Sequence, residues 1–154
     1  KAGKLVLATP WEYGDPFITM MQNLRIAAAR ALSPRDYAIY NASLLFPPEY
    51  RRAHAEGFAA QAASAPPQDA DQIASRLHAI LAFDTRPLTP AIQTPALVVS
   101  SSDDQLMPVW FGRAIAQSLP NARYEELRGG GHMLPETRTE ALAGLVRGFL
   151  AATP

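Results

Sequence analysis

Two kinds of side chain in this sequence are placed to move protons. His132 stands directly behind three glycines, Gly129-Gly130-Gly131, and two adjacent acids, Asp103 and Asp104, follow an apolar run earlier in the chain. An imidazole can take the proton of a hydroxyl nucleophile while a carboxylate on its other ring nitrogen fixes the tautomer and steadies the imidazolium. That chemistry requires the acid and the histidine to meet in space. Ala96-Leu97-Val98-Val99 is a short apolar run ending in small polar residues, as in a strand buried on both faces that delivers a loop at its carboxyl end. The loop carries Asp103 and Asp104. Pro108 then fixes φ at a helix start, and Val109 to Leu119 has Trp110, Ile115 and Leu119 as apolar positions before Pro120-Asn121 breaks it. Tyr124 to Leu127 reads as the next strand. The glycines after it permit φ > 0 and close approach, so two parallel strands present an aspartate and a histidine at one sheet edge. In open α/β sheets that edge binds ligands.

These residues resemble the last third of an α/β-hydrolase fold: Pro95 with Val98-Val99, Asp104 four residues before Pro108, and the Gly131-His132 pair further on. The resemblance extends over nearly the whole chain and is nearest to the 3-oxoadipate enol-lactonase and aminoacrylate hydrolase type. It implies that Asp104 is the triad acid and His132 the triad base, in the chain order Ser, Asp, His. Asp103 is the rival acid, but its spacing to Pro108 is one residue too long. One feature departs from the family. No Gly-x-Ser-x-Gly turn occurs in the sequence, no His-Gly pair precedes one as an oxyanion hole, and there is no cysteine to substitute. None of Ser33, Ser43, Ser64, Ser75, Ser100, Ser101, Ser102 or Ser118 stands in a glycine elbow. The expectation is therefore the carboxyl-terminal part of a longer hydrolase, inactive by itself, with the elbow upstream of Lys1.

Composition narrows the partners. A chain of 154 residues at 48% hydrophobic content suffices for one globular core. Its 14 basic and 14 acidic residues are spread without blocks, which excludes an electrostatic footprint for nucleic acid or an anionic membrane. A small-molecule substrate remains. The absence of cysteine excludes disulfides and thiolate metal sites and fits a cytoplasmic location. The first ten residues hold no signal peptide, and no segment approaches the length of a membrane span.

In chain order, Lys4 to Thr9 is an apolar run stopped by Pro10 and reads as a buried parallel strand. Trp11, Glu12 and Tyr13 follow its carboxyl end, where side chains usually face a pocket; packing as loop aromatics is the equal alternative for Trp11 and Tyr13. From Asp15 to Phe83 the pattern is helical. Asp15-Pro16, Ser33-Pro34, Pro47-Pro48 and Asp69 each start a helix, giving four, the third running to about Ala63. The resemblance makes residues 14–83 a four-helix cap over the sheet edge, with 1–13 and 84–154 a partial core of about three parallel strands and flanking helices. Candidate substrate contacts are Trp11, Tyr37, Tyr40 and Phe46; for the last three, packing within the cap is the favoured alternative, because aromatic residues at helical spacing usually do that. Asp84 to Pro95 connects back to the sheet, and Glu136 to Ala151 reads as one terminal amphipathic helix through Leu142, Leu145, Val146 and Phe149.

His54 and His78 lack partners at metal spacing, and no Gly-Lys-Ser/Thr follows the glycines, so no metal, phosphate loop or cofactor is expected. A lone histidine on a glycine loop is ordinarily structural; Asp104 at the matching strand end is what favours the triad. Asp103 reads as a solvated neighbour or a cap for the following helix. The competing class is a non-catalytic module that binds a small ligand or associates with itself. An open apolar edge at Leu5, Val6 and Leu7 leads to the expectation of a homo-oligomer, or of pairing with the amino-terminal half of the same protein.

Overall fold

The computed structural model describes residues 2–152. Three parallel strands, β1 (Leu5–Ala8), β2 (Ala96–Ser101) and β3 (Ala122–Leu127), pair in the order β1-β2-β3. The register sets Leu5 beside Ala96 and Ala96 beside Ala122, so all three strands end at the same edge.

β2 is the axis of the core. All six of its residues are buried, and its alternation serves two faces. Ala96 and Val98 pack with Ile115 and Leu119 on one side, while Leu97 and Val99 pack with Leu134 and Phe149 on the other. The first face belongs to α6 (Val109–Ser118) and the second to α7 (Leu134–Thr137) and α8 (Thr139–Ala151). β1, expected to be buried, alternates between half-buried and exposed residues and leaves Val6 38% exposed. It lies at the sheet edge with a neighbour on one side only. Lys4 fastens this edge to α8: its ammonium donates to the carbonyls of Phe149, Leu150 and Ala152 at 2.9, 2.9 and 2.6 Å, where the helix presents unpaired acceptors.

Helix α6 presses closely on β2. A Cβ at Gly112 would land on Ser100 Oγ and lie 3.4 Å from a Tyr124 ring carbon. Gly112→Ala is expected to destabilise by about 1–3 kcal/mol as an overpacked contact, and adding Ser100→Ala should recover most of the loss. Urea unfolding of the single and double variants checks this; a double variant no more stable than Gly112→Ala would remove the steric explanation.

Between β1 and β2 the chain forms five helices: α1 (Pro16–Ala31), α2 (Pro34–Leu45), α3 (Pro48–Ala53), α4 (Ala55–Ala63) and α5 (Ala70–Ala82). The caps are those expected from the sequence. Asp15 Oδ1 accepts the N–H of Ile18, Ser33 Oγ that of Asp36, and Asp69 Oδ1 those of Asp71 and Gln72. The count is five rather than four because His54 interrupts the third. Its backbone leaves helical values at φ −116 and ψ 26, its Nδ1 lies 2.9 Å from the Tyr50 carbonyl, and its ring stacks on that of Tyr50. The terminal helix is likewise split, at Arg138, whose φ of −135 separates α7 from α8. The neck of the five-helix segment is closed by a bridge between Tyr13 and Asp84 and by Arg86, which sits over the Tyr13 ring and pairs with Asp84.

One apolar position is reassigned. Trp110 is 45% exposed, while the neighbouring Phe111 is fully buried with Ile18, Leu106 and Met107. Contact with α1 turns this face of α6 inward. Trp110 instead lies against Phe17 and donates its indole N–H to Asp15.

Candidate active site

The strand edge brings the acid and the histidine together. Asp104 follows β2 and His132 follows β3, and the carboxylate oxygen Oδ2 lies 2.9 Å from His132 Nδ1. Asp104 accepts here, so Nδ1 carries the proton and Nε2 is left as the basic nitrogen. The other carboxylate oxygen is held as well: Oδ1 accepts the N–H groups of Leu106 and Met107, both at 2.8 Å. With its side chain at 0% exposure, Asp104 has no freedom to turn away, whereas the His132 side chain keeps 22% of its surface in solvent. The arrangement orients the imidazole and leaves it reachable. Chemically, such a pair can act as a general base.

Of the two roles expected of it, Asp103 is the solvated neighbour and not the cap, and it also holds the glycine loop. It is exposed, caps no helix, and through Oδ1 accepts the Gly131 N–H at 2.8 Å and the Ser101 hydroxyl at 2.7 Å. Ser102 adds a second tie by accepting the N–H of Gly129. The three glycines have φ of 71, 120 and 64, three consecutive residues in the region that favours glycine. The β2 loop therefore grips the glycine loop and sets where His132 emerges.

The other side of that loop rests on α2. The N–H groups of His132 and Met133 both donate to the Leu45 carbonyl, at 2.9 and 3.2 Å. Tyr50 on α3 adds a bond to Glu136 at 2.9 Å, and this raises the Tyr50 hydroxyl above its usual pKa. On the third side Thr9, at the end of β1, has φ 49, and its hydroxyl reaches the carbonyls of Ala8 and His132. Thr9 is the one non-glycine residue with positive φ among those described. A strained residue in contact with the candidate base is typical of functional sites.

A groove of about 620 Å³ runs along β1 and contains His132. Trp11 lines it, with Phe83, Leu88 and Ile115 among the apolar walls. The remaining aromatic candidates stand apart from this groove. Tyr37 packs on Ala28 and Ala29 of α1 with Tyr40 beside it, and Phe46 stacks with Tyr50 and meets the edge of Phe58. No group of three or more acidic or histidine ligands that could hold a metal occurs among the described residues. Among them, too, no helix is long and apolar enough to cross a membrane.

No family model matches the chain. RutD of Caulobacter vibrioides, named as a carbamate hydrolase, is 30% identical over 156 residues, which is 96% of this chain and 57% of that protein. Among solved structures, the enol-lactonase of Burkholderia xenovorans LB400 superposes with a TM-score of 0.80 at 28% identity, covering 97% of this chain and 56% of the other. MGS-M2, an α/β hydrolase from a deep-sea metagenome library, superposes at 0.84 with 19% identity, covering 98% and 57%. The chain has the α/β-hydrolase fold. It corresponds to the carboxyl-terminal part of that fold and spans a little over half the length of these relatives.

Around the acid and the histidine the chain carries several supporting contacts that sequence reading missed. The Leu45 carbonyl and the Asp103 grip join segments far apart in sequence, and no local pattern announces them. Glu12, whose place at the carboxyl end of β1 suggests a side chain facing the pocket, is instead buried at 2% exposure with one oxygen on the Ser118 hydroxyl.

Proposed function

We propose that this chain supplies the acid and base of a serine-type hydrolase acting on a small ester, lactone or amide-like substrate. Residues 14–83 are its cap, Asp104 orients His132, and His132 Nε2 takes the proton of a serine brought by a Gly-x-Ser-x-Gly segment. Water is the second substrate. The observation that carries this reading is the 2.9 Å bond between His132 Nδ1 and an Asp104 carboxylate whose other oxygen is held by two backbone amides. A structural histidine on a surface loop has no need of so constrained a partner. The fold kinship with hydrolases supports the reaction class, and the groove that Trp11 and His132 both line supports its being the substrate's side of the site.

On this proposal the chain alone has no turnover, because the nucleophile and oxyanion donors supply most of the rate and neither is present in its sequence. Purified chain should leave p-nitrophenyl acetate at the background rate, and hydrolysis should appear when a nucleophile-bearing segment is supplied. Turnover by the chain alone that is lost in His132→Ala would require a different mechanism. A second reading, a binding or self-associating module, is favoured by the apolar groove and by the open edge of β1. It is the reading left standing if no nucleophile segment restores hydrolysis.

A further inference from the structure

A separate recess of about 210 Å³ lies where α3 and α4 approach Glu136 of α7, outside the groove along β1. Its lining is Tyr50, His54, Gly57, Phe58, Gln61 and Glu136. Tyr50, His54 and Phe58 recur at four-residue steps, so the helical repeat sets their rings along one stripe in spite of the break at His54. The His54 ring stacks on Tyr50 at 24° with centroids 4.1 Å apart, while Phe58 stands at 73° to Tyr50, 6.4 Å away. Two walls at a steep angle result. Phe46, which is not part of the lining, braces both: it stacks on Tyr50 and meets Phe58 edge-on.

Glu136 supplies the charge. Its Oε1 accepts the Tyr50 hydroxyl at 2.9 Å, and its Oε2 has no hydrogen bond among the described residues. No cation among them lies within ion-pair distance of it, in contrast to Glu125, Glu126 and Glu140. The arginines of α3 are engaged elsewhere: Arg51 Nε donates to the Phe46 carbonyl, and Arg52 lines a neighbouring hollow with Glu56. No lysine or arginine lines the recess itself. Aromatic rings carry negative charge on their faces, so ring walls and a carboxylate without a cation both favour a positive guest. At roughly seven times a water's share of liquid volume, the recess is wide enough for a nitrogen bearing methyl groups. Methyl groups suit ring walls, whereas a bare ammonium is held by its own hydration. Glu136 stays exposed, which limits its pull and sets the expected affinity in the millimolar range.

We propose that Tyr50, His54, Phe58 and Glu136 form a binding site for a small organic cation with a quaternary ammonium head. The rings receive the methyl groups, and the carboxylate faces the charge they surround. The site uses neither Asp104 nor His132, so it stands whether or not the hydrolase reading above does.

The test is titration of this chain with choline at constant ionic strength, followed by calorimetry and by the NMR resonance of the choline methyl groups. Dimethylbutanol, in which a quaternary carbon replaces the nitrogen, is the uncharged analogue of the same shape. Expected is saturable choline binding in the millimolar range, at least about fivefold tighter than dimethylbutanol. The methyl resonance should move upfield on binding, as it does when methyl groups lie against ring faces. Glu136→Gln keeps an acceptor for the Tyr50 hydroxyl but removes the charge, and Phe58→Leu keeps an apolar wall but removes the ring; each should weaken choline roughly 3- to 10-fold. Glu49→Gln, which removes an exposed acid of α3, should change it less than about twofold. The absence of saturation, equal binding of dimethylbutanol, or choline affinity unchanged in the folded variants would overturn the site. If neither variant folds, the methyl resonance of choline with the parent chain decides, and a resonance that does not move overturns the site as well.

Discussion

Asp104→Asn is expected to lower kcat about 10⁴-fold in a protein in which this chain follows a Gly-x-Ser-x-Gly segment, while leaving the fold intact. The expectation follows from the two oxygens of Asp104. Oδ1 accepts from Leu106 and Met107, and an asparagine keeps those bonds by placing its carbonyl oxygen there. Its amide nitrogen then replaces Oδ2 opposite His132 Nδ1. A donor now faces that ring nitrogen, so the imidazole takes the opposite tautomer, with the proton on Nε2. It can no longer accept a proton from a nucleophile. Asp103→Asn should behave differently, losing less than about tenfold, since an asparagine carbonyl can still accept from Gly131 and Ser101 and touches no atom of the imidazole. Steady-state kinetics of the two variants, with nitrogen-15 NMR of the His132 tautomer, separate the roles. Equal losses in kcat would undo the assignment of Asp104 as the acid.

The parts of this site legible in the sequence are those fixed by local rules. Pro16, Pro34 and Pro48 start helices because proline presets φ and lacks the N–H that a first turn leaves unpaired, and each helix begins where the proline stands. The four apolar residues Ala96 to Val99 announce a strand buried on both faces, and burial of all of β2 follows from that pattern. Asp104 and His132 were recognisable because each ends a parallel strand, and adjacent strands of one sense bring their ends together.

What was not legible depends on which distant surface each element meets. Trp110 and Phe111 are equivalent as apolar positions of α6; contact with Ile18 of α1 selects Phe111 for the interior. The break at His54 arises from a ring stacking on Tyr50 and bonding its carbonyl, an interaction that propensity along the chain does not contain. Arg25 looks like one more residue of a polar helix face until Tyr37 and Tyr40 are seen beside it. In each case the ambiguity lies in tertiary contact, and in each the sequence alone leaves several outcomes of similar local free energy.

Gly131→Ala is expected to cost roughly 3–5 kcal/mol and to release His132 from its fixed position, a loss of the order of one-third to one-half of a typical domain's stability. Two effects combine. The residue has φ of 64, where an alanine pays about 1–2 kcal/mol. Its new methyl group would also stand 2.8 Å from the Leu45 carbonyl oxygen and 2.9 Å from Pro47 Cδ, and the first of these is backbone at the end of a helix. That carbonyl is the acceptor for the N–H groups of His132 and Met133, so moving it to relieve the clash lengthens both bonds. Gly129→Ala is the matched control. It sits at a similar φ of 71, but its Cβ would meet side chains and no backbone: Asp103 Oδ2 at an ordinary 3.6 Å and the far end of Arg138 at 3.1 Å, which can give way by a few tenths of an ångström. The backbone penalty is shared and the collision is not, so Gly129→Ala should cost about 1–2 kcal/mol. Urea unfolding measures the difference in stability, and the His132 Nδ1–H resonance, protected by Asp104 in the parent chain, should exchange rapidly in Gly131→Ala and persist in Gly129→Ala. If the two alanines cost the same, the contact with Leu45 contributes nothing beyond φ, and the five-helix segment does not hold the histidine in place.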